Sequence, residues 1–283
     1  MKISLDQDQI ASWERFSRTY FLTGPPMRPS AEDLANYWDL AGEWIKNRRI
    51  PRVLLLGVTP GLYNLPWPQG TEFLAADSSQ AMIDTVWPGP RHAARCVDWL
   101  SMDLPQGSRD IVLCDGGLQL LKYPRQRELI RLLHHVLSDD GLCIFRLFVL
   151  PSQRETPDAV IRDLWDGKIG GPIALRLRLA MSLQNDVREG VEFGQVYSKL
   201  METVPDMEKF AVMMGWPVES TLTINSYKDL KYRYHLLTLE QTIDLFCLDP
   251  GGFQVQQLRT FSYELGQCCP TIALQCCPHG ENS

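Results

Sequence analysis

The stretch RVLLLGVTPG, residues 52–61, leads a short apolar run directly into a turn that contains glycine. Four more apolar runs follow, and each is separated from the next by a turn or by a segment with helical periodicity. These runs are EFLAADSS (72–79), AARCV (93–97), DIVLCD (110–115) and GLCIFRLFV (141–149). Strand-like runs that alternate with helical segments predict a doubly wound α/β fold, in which helices cover both faces of a mostly parallel sheet.

The regions that flank this alternation have a different character. Helical patterns span residues 8–22 and 31–47, and Ser30 with Asp33 predicts a capping box at the start of the second helix. Residues 152–237 show three more helical patterns and no obvious parallel strand. We therefore expect this segment to be an inserted, mostly helical cap.

The end of the chain returns to the sheet. Thr238 with Gln241 predicts a capping box for a short helix, and the strand runs near 253–261 and 270–277 are joined closely enough to form an antiparallel pair. The sequence thus predicts three parts. They are a helical segment at 1–50 that packs on the ligand site, a sheet domain made of 51–150 and 238–283, and the cap at 151–237.

Composition limits the partners that we expect. The 283 residues are 45% apolar and carry a formal net charge of -6, so no basic surface predicts general binding to nucleic acid or to an anionic membrane. The N-terminal MKISLDQDQI lacks the layout of a signal peptide, and no apolar run reaches the roughly 18 residues that span a bilayer. We expect a cytoplasmic protein.

The eight cysteines predict neither disulfides nor a metal site. Cys96, Cys114 and Cys143 lie in strand-like runs, where a free cysteine behaves as a small hydrophobic residue and indicates a reducing compartment. The tail holds two adjacent cysteine pairs with a histidine nearby, but the spacing differs from that of common zinc sites. These residues are Cys268, Cys269, Cys276, Cys277 and His279. We expect no metal and a buried terminal strand.

Residues directly after each strand form the ligand site of an open α/β sheet. Gly57 and Gly61 make a turn in which the backbone can approach a ligand, but a nicotinamide-type G-x-G-x-x-G would also need glycine at 59 and 62. Asp77 follows 20 positions after Gly57, where a carboxylate can accept hydrogen bonds from ribose hydroxyls, and Ser78 lies beside it. Alternatively, Asp77 caps the next helix.

These residues resemble the class I S-adenosylmethionine-dependent methyltransferase family. The family's G-x-G-x-G loop would fall on Gly57, Thr59 and Gly61, with two of three glycines present. The resemblance covers residues 50–150 closely and the last 45 residues in pattern only. It implies a Rossmann-like sheet, S-adenosylmethionine as cofactor, and methyl transfer to a small organic molecule by in-line displacement.

The resemblance also implies cofactor contacts after the later strands. Asp98 would face the adenine amino group, unless it is a solvated turn residue, and Trp99 would direct a backbone N–H toward the ring. Met82 would pack on the adenine face or fill the core. Asp115 and Gly116 would lie where the cofactor methionine and the acceptor meet.

Several departures from the family pattern affect these expectations. Leu56 stands where the family commonly has an acid before the loop, and Thr59 replaces a glycine, so a cofactor-binding or scaffold relative without transfer activity is the alternative function. Pro60, Pro66 and Pro68 predict a shortened helix after the first strand.

Two further residues are candidates for contacts near the acceptor. Arg146 interrupts an apolar strand that we expect to be covered on both faces, so its guanidinium must find a carboxylate or a ligand, or extend to water. It could orient Asp115 or bind an acidic substrate. Tyr20 is a candidate for closing over the cofactor. Aromatic residues of the cap are expected to line the acceptor pocket or to fill the cap core; they are Trp165, Phe193, Tyr197, Trp216, Tyr227, Tyr232 and Tyr234.

Overall fold

Seven strands form one sheet in the computed structural model, which describes residues 7–46 and 50–278. They are β1 Arg52–Leu56, β2 Glu72–Asp77, β3 Ala94–Cys96, β4 Arg109–Asp115, β5 Leu137–Arg146, β6 Phe253–Arg259 and β7 Thr271–Cys276. Their spatial order is β6-β7-β5-β4-β1-β2-β3. Strands β1 to β5 are parallel, whereas β7 is antiparallel to both neighbours. The predicted doubly wound sheet with an antiparallel terminal pair is confirmed.

Helices connect these strands and build the cap. They are α1 Gln7–Thr19, α2 Ala31–Ile45, α3 Pro60–Tyr63, α4 Gln80–Val86, α5 Tyr123–Val136, α6 Pro157–Trp165, α7 Pro172–Leu183, α8 Phe193–Met201, α9 Met207–Met214, α10 Val218–Leu222 and α11 Leu239–Cys247. The capping boxes predicted at Ser30 and Thr238 are both present. Among the residues described, no helix is long and apolar enough to cross a bilayer.

The central strands are buried because helices cover both sides of the sheet. Along β1, Leu54 and Leu56 join a core with α5 and α11, whereas Val53 and Leu55 join a second core with α2 and α4. Side chains alternate between the faces of a strand, so an unbroken apolar run is required when both faces are covered. This burial is the main stabilising contribution to the sheet domain.

The cap has a third apolar core of its own, formed by α6 to α10 with parts of neighbouring loops. The chain leaves and re-enters the sheet domain through a two-residue parallel pair, Val149–Leu150 with Leu237–Thr238. A second short pair joins Val191–Glu192 to Arg233–Tyr234. We did not predict these pairs, because two residues are too few to show a strand period.

Only one turn of helix, α3, follows β1, as the prolines predicted. Aromatic rings pack together after α3, where Tyr63 and Trp67 both lie edge-on to Phe73. In the tail, Cys268, Cys269 and Cys276 are buried free thiols, and His279 lies outside the described residues. No cluster of three metal-binding side chains occurs within residues 7–46 and 50–278.

Candidate functional site

A cavity of about 430 Å³ opens at the carboxyl edge of the sheet, where the strand order reverses between β1 and β4. Ten of the twelve residues predicted for the site line this cavity. They are Tyr20, Gly57, Thr59, Asp77, Ser78, Met82, Asp98, Trp99, Asp115 and Gly116. Eight of them lie at or directly after the ends of strands, and parallel strands direct such residues to one edge of the sheet. Met82 belongs to α4, and Tyr20 follows α1.

Gly57 and Asp77 form the centre of this edge. Gly57 has φ +92°, a conformation that would strain any residue with a side chain, and a Cβ at this position would lie in contact with Asp77 Oδ2, 3.9 Å away. Asp77 Oδ1 accepts the Ser79 N–H at 2.8 Å. The helix cap is supplied by the Ser79 side chain, which accepts the Met82 N–H at 3.3 Å. The Asp77 side chain is thus not the N-cap of α4, and its Oδ2 accepts no hydrogen bond from the residues described.

Burial raises the pKa of Asp77 to about 7, and the hydrogen bond from the Ser79 N–H opposes that rise. A buried carboxylate has lost its hydrogen bonds to water, so a ligand that donates hydrogen bonds to it stabilises the charged form. Two adjacent hydroxyl groups would supply such donors. The site is therefore suited to a vicinal diol, the chemical feature of a ribose.

Asp98 and Trp99 form the neighbouring wall after β3. Asp98 caps a short 3₁₀ turn by accepting the Leu100 N–H at 2.9 Å, and the Arg125 guanidinium of α5 lies 3.3 Å from its other oxygen. The Trp99 indole donates to the Ala76 carbonyl at 2.7 Å. This hydrogen bond fixes the aromatic side chain of Trp99 as a cavity wall, whereas the sequence predicted only a backbone contact.

Asp115 of β4 lies opposite Arg146 of β5 in the strand register, and the two side chains form an ion pair. The Arg146 Nε lies 2.5 Å from Asp115 Oδ1, and its Nη1 donates to the Pro26 carbonyl at 2.7 Å. Tyr37 spans the same strands, donating to Cys114 O and accepting the Arg146 N–H. Burial raises the pKa of Asp115, while Arg146 opposes the rise. Arg146 is fully buried and lies outside the cavity lining.

Of the two other glycines predicted for the site, Gly116 lines the cavity and Gly61 does not. Gly116 has φ +60°, and a Cβ there would lie 3.1 Å from the Phe148 ring, so a side chain at 116 would strain the turn and press on a cavity wall. Gly61 lies outside the cavity lining, in α3. A Cβ at Gly61 would come within 2.8 Å of Leu34 Cδ2, which indicates that this glycine allows α3 to pack on α2.

A segment that the sequence did not single out as a unit, residues 231–235, also lines the cavity. It is docked by the His235 N–H, which donates to Gln119 O at 2.9 Å, and by the Gln126 amide, which donates to His235 O at 2.9 Å. Of the seven cap aromatics expected at the acceptor pocket, Tyr232 and Tyr234 reach the cavity through this segment. No local pattern marks it, because its position depends on contacts across more than 100 residues.

His235 brings a titratable group to the same wall. Its Nδ1 lies 2.8 Å from the Val187 carbonyl, which only accepts, so Nδ1 carries the proton and Nε2 the lone pair. Burial lowers the pKa of His235. The ring is thus neutral at pH 7 and able to take up a proton.

Comparisons with known proteins concern the fold. A scan against protein-family models gave no match, and a search of curated proteins gave none. Among solved structures, a Rhodobacter sphaeroides protein provisionally named a zinc-dependent alcohol dehydrogenase superposes with a TM-score of 0.61 at 15% identity, over 97% of this chain and 100% of that one. A provisionally named methyltransferase in complex with the Haloferax volcanii Trm112 activator gives 0.52 at 9% identity, over 98% and 99%.

A third solved structure is Burkholderia thailandensis 1,6-didemethyltoxoflavin-N1-methyltransferase, which contains 1,6-didemethyltoxoflavin and S-adenosylhomocysteine. It superposes with a TM-score of 0.52 at 13% identity, over 98% of this chain and 92% of that one. At such identities the likeness concerns the path of the chain, and the activity named for each neighbour belongs to that neighbour.

Proposed function

Because the chain has the fold of class I methyltransferases, we propose that it binds S-adenosylmethionine and transfers the methyl group to a small organic molecule. The main support is the Asp77 carboxylate, which lies beside the open turn at Gly57 and faces a cavity at the switch point of the sheet. This is the position at which an acid can hold a ribose.

The other lining residues fit the remaining parts of the cofactor. Asp98, Trp99 and Met82 surround the space next to Asp77, where the adenine would lie, and Ser78 continues that wall. At the opposite end, Asp115 can accept from the methionine ammonium group, which compensates for the apolar Leu56. Thr59 and the backbone of the Gly57 turn would also contact the cofactor. Gly61 would act indirectly, by allowing α3 to pack closely on α2.

The chemistry would require few protein groups. The bound cofactor would supply an electrophilic methyl group, and the protein would hold the acceptor in line with it and exclude water. Asp115 is suited to this positioning role because Arg146 fixes its carboxylate. For acceptors that must lose a proton, the neutral imidazole of His235 is a candidate base.

Replacement of Asp77 with alanine tests the proposal. We expect the affinity for S-adenosylhomocysteine, measured by isothermal titration calorimetry, to fall by about 30-fold or more, since hydrogen bonds to a charged group contribute about 1.5–3 kcal/mol each. The matched control is Asp84→Ala in α4, which removes an exposed carboxylate that pairs with Arg91. Equal affinity in the parent and the Asp77 variant, or no binding by the parent, would contradict the proposal.

The alternative is a cofactor-binding relative without transfer activity. Leu56 and Thr59 favour it, since both depart from the family's loop. A broad screen of metabolites with labelled S-adenosylmethionine separates the two functions. Binding of the cofactor without methylation of any acceptor would support the inactive relative.

A further inference from the structure

The walls of the cavity beyond the cofactor residues are largely aromatic. They include Trp13, Phe16, Tyr20, Phe148, Tyr232 and Tyr234. Rings from α1 and from the cap meet over the cavity, where Trp13 packs edge-on against Tyr232 with centroids 6.4 Å apart. Such walls favour a flat, aromatic acceptor over a flexible polar one.

Two of the carboxylates that line the cavity are neutralised by arginine. Asp98 is paired with Arg125, and Asp115 is paired with the buried Arg146. The third, Asp77, lies at the Gly57 turn, where the ribose is proposed to bind. The cavity therefore has little free negative charge with which to attract a cationic acceptor.

Positive charge, in contrast, remains free. Lys122 and Lys231 both line the cavity from exposed positions, and neither has a carboxylate within 4 Å among the residues described. Lys122 precedes α5, and Lys231 begins the cap segment 231–235, which docks beside Gln119, so both charges line the same opening. In a chain with a net charge of -6, two unpaired lysines at one opening form a local anion-attracting field.

A further positive charge, the buried Arg176, lies outside the cavity. Arg176 of α7 is 5% exposed, and its hydrogen bonds go to Pro172 O and Thr223 Oγ1, both uncharged. Its Nη2 has no hydrogen-bond partner, and no carboxylate lies within 4 Å among the residues described. Its guanidinium packs over the Tyr227 ring, with Cζ 5.5 Å from the ring centroid. Arg176 lies outside the cavity lining, so the free positive charge at the opening is that of the two lysines.

We infer that the acceptor is a planar aromatic molecule with an anionic group such as a carboxylate, and that Lys122 and Lys231 bind this group at the mouth of the cavity. The inference rests on the proposed function. The anionic group could instead be the carboxylate of the cofactor itself. The experiment must therefore measure binding of the cofactor and of the acid separately.

The probes are 2-naphthoate and benzoate, each compared with its primary amide, which has nearly the same shape without the charge. Dissociation constants are measured by calorimetry on the protein saturated with S-adenosylhomocysteine. We expect the acids to bind at least about 10-fold more tightly than the amides at low salt, with the difference shrinking as added salt screens the exposed lysines. The Lys122→Ala/Lys231→Ala double variant should lose the difference and keep its affinity for S-adenosylhomocysteine.

The matched control is Lys228→Ala, which removes an exposed lysine near the same segment but outside the cavity lining; it should keep the preference for acids. Equal binding of acids and amides by the parent would overturn the inference. A loss of S-adenosylhomocysteine affinity in the double variant would assign the lysines to the cofactor carboxylate and also overturn it. Failure of the parent to bind S-adenosylhomocysteine would instead refute the proposed function.

Discussion

The proposed ligand needs Asp77 in its ionised form, but burial of Asp77 favours the neutral form. Its pKa of about 7, raised by burial, is higher than that of a carboxyl group in an unfolded chain. In the folded state, the neutral form is favoured below about pH 7 and the carboxylate above it. Ribose hydroxyls donate more strongly to the carboxylate, so binding of the cofactor is coupled to release of a proton.

The resulting prediction concerns the pH dependence of binding. We expect the affinity for S-adenosylhomocysteine to rise as the pH increases from about 6 to about 8, by up to tenfold per unit below the pKa of the free protein. Calorimetry across this range provides the measurement. The Asp77→Asn variant should bind weakly at every pH and lack this rise, and a rise that persists in this variant would assign the titration to another group.

Arg146 is the counter-ion of the buried Asp115 carboxylate, and the stability of the fold depends on this pair. Replacement by methionine would leave the Asp115 carboxylate buried without a counter-ion, so we expect a loss of about 3–5 kcal/mol in the free energy of unfolding. Urea denaturation measures this loss. The double variant Arg146→Met/Asp115→Leu should recover part of it, whereas Arg91→Ala, at an exposed ion pair, should cost less than about 1 kcal/mol. A loss as small as that of Arg91→Ala would refute the structural role.

At the scale of elements, the contact between α2 and α3 explains why the loop needs its second glycine. The turn after β1 is held close to α2 by the approach of Gly61 to Leu34, and α3 is too short to be stabilised by its own hydrogen bonds. The glycine thus acts on the cofactor site through packing.

Gly61→Ala should therefore separate stability from binding. The added methyl group meets the end of the Leu34 side chain, which can shift, so we expect a loss of about 1 kcal/mol in the free energy of unfolding, at the low end of overpacking. Affinity for S-adenosylhomocysteine should change by less than the stability does. A variant with parent-like stability but a large loss of affinity would instead make Gly61 a direct cofactor contact.

For the whole molecule, the cavity is built from α1, the sheet and the cap together. A ligand that binds only this assembled form stabilises it by about 2.7 kcal/mol at a concentration of 100 times its dissociation constant. We expect S-adenosylhomocysteine at that ratio to raise the thermal midpoint by about 4 °C, given the unfolding entropy of a chain of this length. Differential scanning fluorimetry provides the measurement, and NADH serves as the control. Protection by NADH alone would favour a nicotinamide oxidoreductase.

The sequence by itself determined the features that arise from local physical chemistry. Apolar runs without alternation predicted strands covered on both faces, capping boxes at Ser30 and Thr238 marked helix starts, and prolines shortened α3. Parallel strands end at one edge, so the residues after each strand could be assigned to one site before any contact was known. Eight of those residues line one cavity.

Only the tertiary structure decided which charges meet. The ion pair between Asp115 and Arg146, 31 positions apart, depends on the register of β4 and β5. Residues 231–235 line the cavity because the segment docks against Gln119. Gly61 was expected to contact the ligand, but it lies outside the cavity lining and packs α3 against Leu34 of α2. Hydrophobic periodicity and capping act within a few residues, whereas pairing of buried charges depends on the packing of distant segments, and no local pattern encodes it.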